Sequence, residues 1–216
     1  MRSGALRPYE RSLRTATELC LLSDDGRRLA LDVDRWLPPA DRGDATVLAR
    51  CQGPVLDVGC GPGRFVRALS ERSIVCLGVD IAQAAVSITR DSGAAALLRD
   101  VFAPIPGEGR WPTALLMDGN IGIGGDPQRL LARVASLLAP DGRVIVEASP
   151  DPSVDARLTV RFVTDGTAVG PSFQWAEVGL DGLDRYARQA GLYVEETWSV
   201  SGRRFASLVS RRTRTR

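Results

Sequence analysis

The chain has 216 residues, 44% hydrophobic and 25% charged, which is enough to bury the core of one globular domain. It contains no histidine, and all 28 basic residues are arginine, so histidine bases, Schiff-base lysines and phosphate-loop lysines are excluded. With no histidine available for the usual Cys/His zinc site, we expect no metal. The cysteines Cys20, Cys51, Cys60 and Cys76 lack CxxC spacing and are expected to be free, buried thiols.

The net charge of +2 comes from the arginines at the C-terminal end. Without Arg211, Arg212, Arg214 and Arg216 the remaining 24 basic and 26 acidic residues give −2, which argues against a nucleic-acid partner. We expect residues 211–216 to form a disordered basic tail. No apolar run approaches the roughly 20 residues that span a bilayer, and the charged N-terminus does not resemble a secretory signal. We therefore expect a cytoplasmic protein without a membrane partner; its oligomeric state is not predictable.

The first 53 residues combine short amphipathic pieces with chain breakers, and we expect them to form a helical lid segment. Glu10 to Leu22 predicts a helix, and the run Trp36-Leu37-Pro38-Pro39 ends a second element. Asp44 predicts the N-cap of a further helix that carries Val47 and Leu48.

From Pro54 onward, short apolar strands alternate with helical patterns. The predicted strands are Val55–Val58, Ile74–Val79, Ala95–Leu98, Thr113–Met117 and Arg143–Glu147, the last after a turn at Pro140-Asp141-Gly142. The predicted helices run from about Arg64 to Arg72, from about Gln83 to Asp91, and from Pro127 with Asp126 as the N-cap. Continuously apolar strands separated by helices indicate a parallel sheet that is covered on both faces.

The last third of the chain has a different pattern. Residues Arg157–Val163 and Ser172–Val178 alternate like the strands of a hairpin around Gly166–Gly170. A helix at Leu183–Ala190 follows, and then Tyr193–Val200 and Arg204–Ser210 form a second hairpin, joined at Ser201-Gly202-Arg203. We therefore predict an α/β fold over residues 54–210. It has a doubly wound, mostly parallel seven-stranded sheet, an antiparallel edge hairpin and an inserted hairpin at 157–178.

The segment from Val55 to Phe65 has the clearest functional pattern. A buried strand that ends at Asp57-Val58 runs into glycines at 59, 61 and 63 and then into a helix. Gly59 and Gly61 allow a tight turn close to a ligand, and Gly63 lets the helix start against the sheet. A dinucleotide fingerprint would have its third glycine at Arg64, so the spacing favours a ligand with an amino-acid end over a pyrophosphate.

With these features, the chain resembles the class I S-adenosylmethionine-dependent methyltransferases over roughly Pro54 to Glu147. The resemblance implies S-adenosylmethionine as cofactor. It also implies that Asp57 and the loop residues Gly59, Cys60, Gly61 and Gly63 hold its methionine part. Asp80, followed by Ile81, would bind the two ribose hydroxyls. In Arg99-Asp100-Val101-Phe102, Asp100 would take the adenine amino group and the backbone of Val101 would contact the ring.

Asp118 follows the fourth strand, where the family places the reacting methyl group. It is our candidate catalytic residue for proton removal, and alternatively it holds the amino group of the cofactor or merely caps a glycine turn. Asn120 is expected to orient a polar group of the substrate, and Glu147 is a reserve candidate for substrate contact. Cys60 is expected to be a packed residue and not a nucleophile.

The predicted function is transfer of a methyl group to an oxygen or nitrogen of a small-molecule acceptor. One alternative is an NAD-dependent oxidoreductase on a Rossmann domain, and another is a non-catalytic S-adenosylmethionine-binding protein. The inserted hairpin carries Arg161, Phe173, Gln174 and Trp175, and it is expected either to cover the acceptor or to be an extra sheet edge. Trp36 is a further candidate for the pocket wall.

Overall fold

The computed structural model describes residues 6–210, so the predicted basic tail lies outside the described residues. The elements in chain order are α1 (Arg7–Thr15), β1 (Leu19–Ser23), β2 (Arg28–Leu31), α2 (Val33–Trp36), α3 (Arg42–Leu48), β3 (Val55–Val58), α4 (Arg64–Ser70), β4 (Cys76–Asp80), α5 (Gln83–Asp91), β5 (Ala96–Leu98), β6 (Trp111–Leu116), a 3₁₀ helix (Asn120–Gly125), α6 (Pro127–Leu137), β7 (Leu138–Ala148), β8 (Asp155–Thr164), β9 (Thr167–Val178), α7 (Leu180–Gln189), β10 (Leu192–Val200) and β11 (Arg203–Ser210). No helix within residues 6–210 is long and apolar enough to cross a membrane.

The main sheet has seven strands in the order β10-β11-β7-β6-β3-β4-β5. The strands from β7 to β5 are parallel, and the hairpin of β10 and β11 joins β7 in antiparallel pairing. All four residues of β3 are buried, as expected for a central strand covered on both faces. The predicted seven-stranded fold with an antiparallel edge hairpin is therefore confirmed.

Helix α6 shows how local sequence determines an element here. The side chain of Asp126 caps it by accepting from the N–H of Arg129, and Pro127 occupies the first turn, as predicted. The buried residues of the helix follow its period and pack into the main core: Leu130, Leu131, Val134 and Leu137. The turn predicted at 140–142 is wrong, because β7 already begins at Leu138 and passes through these residues with an irregular register opposite β6.

The N-terminal segment is not wholly helical, and the helix predicted over Glu10–Leu22 is wrong in its second half. Helix α1 ends at Thr15, because Ala16 adopts a left-handed conformation (φ 49°) and its N–H bonds back to the Ser12 carbonyl. Residues 19–23 then alternate between the interior and a more exposed face, which is the period of a strand. The apolar residues of this stretch were compatible with either period.

The strands β2, β1, β8 and β9 form a second sheet of four antiparallel strands, here called the cover sheet. The inserted hairpin is therefore not an extra edge of the main sheet. Its strands extend further than predicted, so the connection is the short turn at Asp165-Gly166, and Gly170 lies within β9. Leu21 pairs with Phe162, Val160 with Phe173, and these residues belong to a third apolar cluster that also includes α1.

The N-cap of helix α3 lies three residues earlier than predicted. Asp41 is the N-cap, and its side chain accepts from the N–H of Asp44. The Asp44 carboxylate accepts from the N–H of Asp41 in return, so the two residues form a reciprocal capping box. The helix was predicted correctly and its cap was not, because either aspartate satisfies the preference for a short polar side chain.

Candidate active site

A cavity of about 620 Å³ lies between the carboxyl ends of the parallel strands and the cover sheet. Its lining includes Val58 and Gly59 after β3, Asp80 and Ile81 after β4, and Asp118 after β6. The carboxyl ends of the strands are where open α/β sheets bind ligands. Of the residues predicted for the site, Gly59, Asp80, Ile81, Asp100, Val101 and Asp118 line this cavity.

The glycine loop after β3 is tightly enclosed. Gly59 has φ 72°, and an added Cβ would lie 2.6 Å from Nδ2 of Asn120. Gly63 has φ 83°, and an added Cβ would lie 2.6 Å from the Thr89 side chain. Gly63 therefore lets α4 start beside α5, and not beside the sheet as expected.

Asn120 and Cys60 support this loop from its two sides. The Asn120 amide donates to the carbonyls of Val58 and Gly59, each at 2.9 Å, so only its oxygen remains to contact a substrate. Cys60 is buried, and its Sγ would lie 2.6 Å from a Cβ added at Gly78. Burial also raises the pKa of the Cys60 thiol, as expected for a packed residue and not for a nucleophile.

Asp80 ends β4 and is only 8% exposed. One carboxylate oxygen accepts from the N–H of Gly61 (3.0 Å), and the other accepts from the N–H of Ala82 (2.8 Å). Each oxygen keeps a second lone pair, so the side chain can still accept two hydroxyl groups. Next to it, Ile81 is 41% exposed although it is a large apolar residue, and it presents an apolar surface to the cavity.

The segment after β5 contributes Asp100 and Val101. One oxygen of Asp100 accepts from the N–H of Phe102 (2.9 Å), and the side chain is exposed at the cavity. The Val101 carbonyl accepts from Nε of Arg133 (2.8 Å), so any backbone contact of Val101 with a ligand falls mainly to its N–H. This places an acceptor and an apolar side chain next to each other on the same wall.

A smaller pocket of about 50 Å³ lies beside the glycine loop. It is lined by Asp57, Trp36 and Arg64, and it shares Tyr9, Trp36, Gly59, Asp118 and Asn120 with the larger cavity. Within the described part of the chain, Nε1 of Trp36 is buried without a hydrogen-bond partner, whereas Nε of Arg64 lies 3.3 Å from Oδ2 of Asp44. Burial and the nearby Asp118 raise the pKa of Asp57 to about 7. The pocket thus offers a buried donor and a carboxylate, which match a group that carries both a negative and a positive charge.

Asp118 has a left-handed backbone (φ 54°) at the end of β6, and its carboxylate is held by two guanidinium groups. Nη2 of Arg35 lies 2.6 Å from Oδ1, and Nη2 of Arg64 lies 2.7 Å from Oδ2. Burial raises the pKa of Asp118, and the Arg64 and Arg35 guanidiniums oppose that rise. Asp118 therefore does more than cap a glycine turn, because its ion pairs also join α2 and α4 to the site.

Glu147, the reserve candidate for substrate contact, is used within the protein. Arg203 donates to both of its oxygens at 2.8 Å, and the N–H of Asp118 donates to Oε2 at 2.9 Å. Although burial opposes it, the hydrogen bonds from Arg203 lower the pKa of Glu147. Arg203 also bonds Asp44 at 2.8 Å. A direct role of Glu147 in substrate binding is therefore not supported.

Sequence reasoning missed two residues of this arrangement and one of the cavity wall. Arg35 contacts Asp118 across 83 residues of sequence, and no local pattern announces such a pair. Arg64 is only 3% exposed, and its place in an apolar first turn directly after the glycine loop was a usable signal. Tyr9 of α1 reaches the glycine loop, where its hydroxyl would lie 3.3 Å from a Cβ added at Gly61.

The geometry agrees with comparisons to known proteins. A family model described as a methyltransferase domain matches residues 21–197. The chain belongs to this family. Membership confirms the expected class I S-adenosylmethionine-dependent methyltransferase, with S-adenosylmethionine as its cofactor, and sets aside the NAD-dependent oxidoreductase. No curated protein matches the chain.

Solved structures of methyltransferases show the same fold. A SAM-dependent methyltransferase from Bacteroides fragilis, in complex with S-adenosyl-L-homocysteine, is 20% identical with a TM-score of 0.76, covering 97% of this chain and 94% of that chain. The CcbJ methyltransferase from Streptomyces caelestis is 17% identical with a TM-score of 0.60 (80% and 90% covered). The 1,6-didemethyltoxoflavin-N1-methyltransferase from Burkholderia thailandensis, with 1,6-didemethyltoxoflavin and S-adenosylhomocysteine bound, is 19% identical with a TM-score of 0.55 (72% and 70% covered).

Proposed function

We propose that this methyltransferase holds its cofactor along the carboxyl ends of β3, β4 and β5 and methylates an oxygen or nitrogen of a small molecule. The observation that carries the cofactor position is the Asp80 carboxylate, which is buried, fixed by two backbone N–H groups and still able to accept two hydroxyls. Asp57 and the loop residues Gly59, Cys60, Gly61 and Gly63 would hold the methionine part. Ile81, Asp100 and Val101 would flank the adenine.

The small pocket suits the charged methionine end. Its carboxylate would accept from Nε1 of Trp36, which has no hydrogen-bond partner among the described residues, and its ammonium would lie near Asp57 and Asp118. Burial raises the pKa of Asp118 even though the guanidinium groups of Arg35 and Arg64 bind its oxygens and oppose that rise. The place of Asp118 beside Asp57 in the small pocket supports the role of binding the amino group, and the raised pKa is compatible with proton removal.

The sulfonium of the cofactor activates the methyl group, so the protein has to align the two reactants and exclude water. Such alignment is worth about 7–11 kcal/mol of the barrier. The N-terminal segment and the inserted hairpin act as the lid, because β1, β2, β8 and β9 together cover the cavity. A cavity enclosed in this way favours a small acceptor over a polymer.

Calorimetry and thermal unfolding in the presence of S-adenosylhomocysteine or NAD test which of these two ligands the protein binds. At a hundred times its dissociation constant, S-adenosylhomocysteine should stabilise the fold by about 2.7 kcal/mol, a melting shift of about 5–11 °C, and NAD should not. Stabilisation by NAD alone would contradict the proposal. Incubation with S-adenosylmethionine and a panel of small acceptors should then release S-adenosylhomocysteine. Binding without release from any acceptor would favour the non-catalytic alternative.

A further inference from the structure

The wall that the cover sheet presents to the cavity is rich in aromatic rings, and Ser172 and Gln174 are its polar members. Leu21 of β1, Leu31 of β2, Phe162 of β8, and Phe173 and Trp175 of β9 all line the cavity. Leu21 and Phe162 are paired across neighbouring strands, as are Leu158 and Trp175, so these side chains share one face of the sheet. This face belongs to no part of the proposed cofactor site.

The aromatic side chains of this wall contact one another in a tilted pair and an edge-to-face pair. The rings of Phe162 and Phe173 are 5.1 Å apart and tilted by 41°, and those of Phe173 and Trp175 are 6.4 Å apart at 88°. Phe173 and Trp175 belong to the inner face of the cover sheet and are still only half-buried, because part of each ring faces the cavity. Such a set of rings offers both faces and edges to a further aromatic ring.

The wall is also uncharged. Among the described residues that line the cavity, none of those from the cover sheet is charged, whereas the other walls carry Asp80, Asp100 and Asp118 and the arginines Arg99 and Arg129. A charged group placed beneath the cover sheet would lose its hydration without gaining an ion pair there. The part of the acceptor that lies under this sheet is therefore expected to be neutral.

The wall is held at a fixed distance from the main sheet. A Cβ added at Gly122 of the 3₁₀ helix would lie 2.2 Å from the Ala176 carbonyl and 2.6 Å from the Trp175 ring. A Cβ at Gly125 would lie 2.6 Å from Gln174. Strand β9 thus packs directly on the backbone of the 3₁₀ helix, which fixes the position of Trp175 beside the cavity.

We propose that the acceptor is a neutral, planar aromatic molecule, which stacks against Phe173 and Trp175 under the cover sheet and presents its oxygen or nitrogen towards the cofactor. This inference rests on the proposed function, since the opposite wall is taken to hold the cofactor. The proposed acceptor site should prefer an aromatic ring to a saturated ring of the same skeleton. It also selects a neutral ring over an anionic one.

Calorimetry on the complex with S-adenosylhomocysteine tests the inference with three probes. They are 2-naphthol, decahydro-2-naphthol, which has the same skeleton without aromaticity, and 2-naphthoate, which carries a charge. We expect 2-naphthol to bind at least fivefold more tightly than either of the others. Equal affinities for 2-naphthol and decahydro-2-naphthol, or tighter binding of 2-naphthoate, would overturn the inference. Absence of S-adenosylhomocysteine binding would instead contradict the proposed function.

The variant F173L locates the probe. It should weaken 2-naphthol binding about 2- to 12-fold, the factor that corresponds to 0.5–1.5 kcal/mol for an aromatic contact. Its affinity for decahydro-2-naphthol and for S-adenosylhomocysteine should change less than twofold. The control Y193L removes an aromatic ring from β10, away from the cavity, and should change none of the three affinities. Full 2-naphthol affinity in F173L would overturn the inference, and the comparison of the three probes remains decisive if F173L does not fold.

Discussion

Two buried carboxylates at the ends of adjacent strands are held in different ways. Asp80 accepts from two backbone N–H groups, which fix both of its oxygens. Asp57 has no arginine at ion-pair distance within the described residues, and burial raises its pKa to about 7. Burial also raises the pKa of Asp80, but backbone hydrogen bonds oppose the rise there. Asp80 is therefore fixed by the protein itself, whereas in the proposed cofactor site Asp57 would gain its charge partner from the ligand.

This difference predicts that cofactor affinity depends on pH through Asp57. Its carboxylate must be ionised to attract the ammonium group, so the affinity for S-adenosylhomocysteine should rise about tenfold between pH 6 and pH 8. Calorimetry at several pH values measures the dependence. D57N should bind weakly and without this slope. An unchanged slope in D57N would show that another group titrates.

The same raised pKa affects stability with the opposite sign. A carboxyl whose pKa is raised in the folded state favours folding below its ordinary pKa, and that contribution is lost as the pH rises through about 7. Ionisation of Asp57 above that pH costs up to about 4 kcal/mol for a shift of three units. D57N should consequently have a larger free energy of unfolding than the wild type at pH 8 and not at pH 4.

Removal of the Asp80 carboxylate is predicted to weaken cofactor binding at least tenfold. Each hydrogen bond to a charged group contributes roughly 1.5–3 kcal/mol, and D80A would lose those to the ribose. Calorimetry with S-adenosylhomocysteine measures the effect. Circular dichroism checks the fold, because Gly61 and Ala82 also lose a partner. D91A, at the end of α5, is the matched control. If D80A and D91A had equal dissociation constants for S-adenosylhomocysteine, Asp80 would only end a strand and would not bind the cofactor.

The residues that sequence alone identified are those with local signals. Asp80 follows an apolar strand, and the glycines at 59, 61 and 63 stand between a strand and a helix, so their backbone requirements are visible in a few residues. Arg35 and Arg203 carry no such signal. Arg35 reaches Asp118, and Arg203 reaches Glu147 across 56 residues of sequence. Only the folded chain brings these charges together.

At the scale of the elements, the cover sheet shows where periodicity fails. Its strands β8 and β9 were predicted from their alternation, but β1 was mistaken for the continuation of α1. Leu19, Leu21 and Leu22 fit a helix face and a strand equally well, and pairing with β8 decides between them. The pairing joins segments about 140 residues apart, and no local preference specifies that contact.

The packing of β9 on the 3₁₀ helix leads to a prediction for Gly122. Its φ is not positive, so G122A introduces only the contact of the new Cβ with Ala176 and Trp175. Overpacking of this kind costs about 1–3 kcal/mol, which urea unfolding measures. The control G182A lies in α7, where the new Cβ meets the Asp155 side chain at 3.1 Å, and we expect a smaller loss. If both variants are equally stable, β9 does not press on the 3₁₀ helix.

At the scale of the whole molecule, the main sheet was predictable, whereas the assembly of β1, β2, β8 and β9 into a separate sheet was not. Strands that alternate with helices specify a parallel sheet, because each crossover helix has to cover one of its faces. The cover sheet takes two strands from before that series and two that follow its last parallel strand, β7. An ionic cluster of Arg35, Arg64, Arg203 and their carboxylate partners joins the N-terminal segment to both β6 and β7.

The charge of this cluster also bears on whether methyl transfer needs a metal. Asp118 is the carboxylate that lies where the methyl group is predicted to react. Two guanidinium groups already bind its oxygens and would repel a divalent cation. The chain has no histidine to offer instead. We therefore expect the affinity for S-adenosylhomocysteine and the release of S-adenosylhomocysteine with an accepted substrate to change less than twofold in millimolar EDTA. If EDTA abolished turnover of the wild type and magnesium restored it, while EDTA left the turnover of D118N unchanged, Asp118 would be a metal ligand. Loss of cofactor affinity alone would point to the binding of metal elsewhere in the cavity.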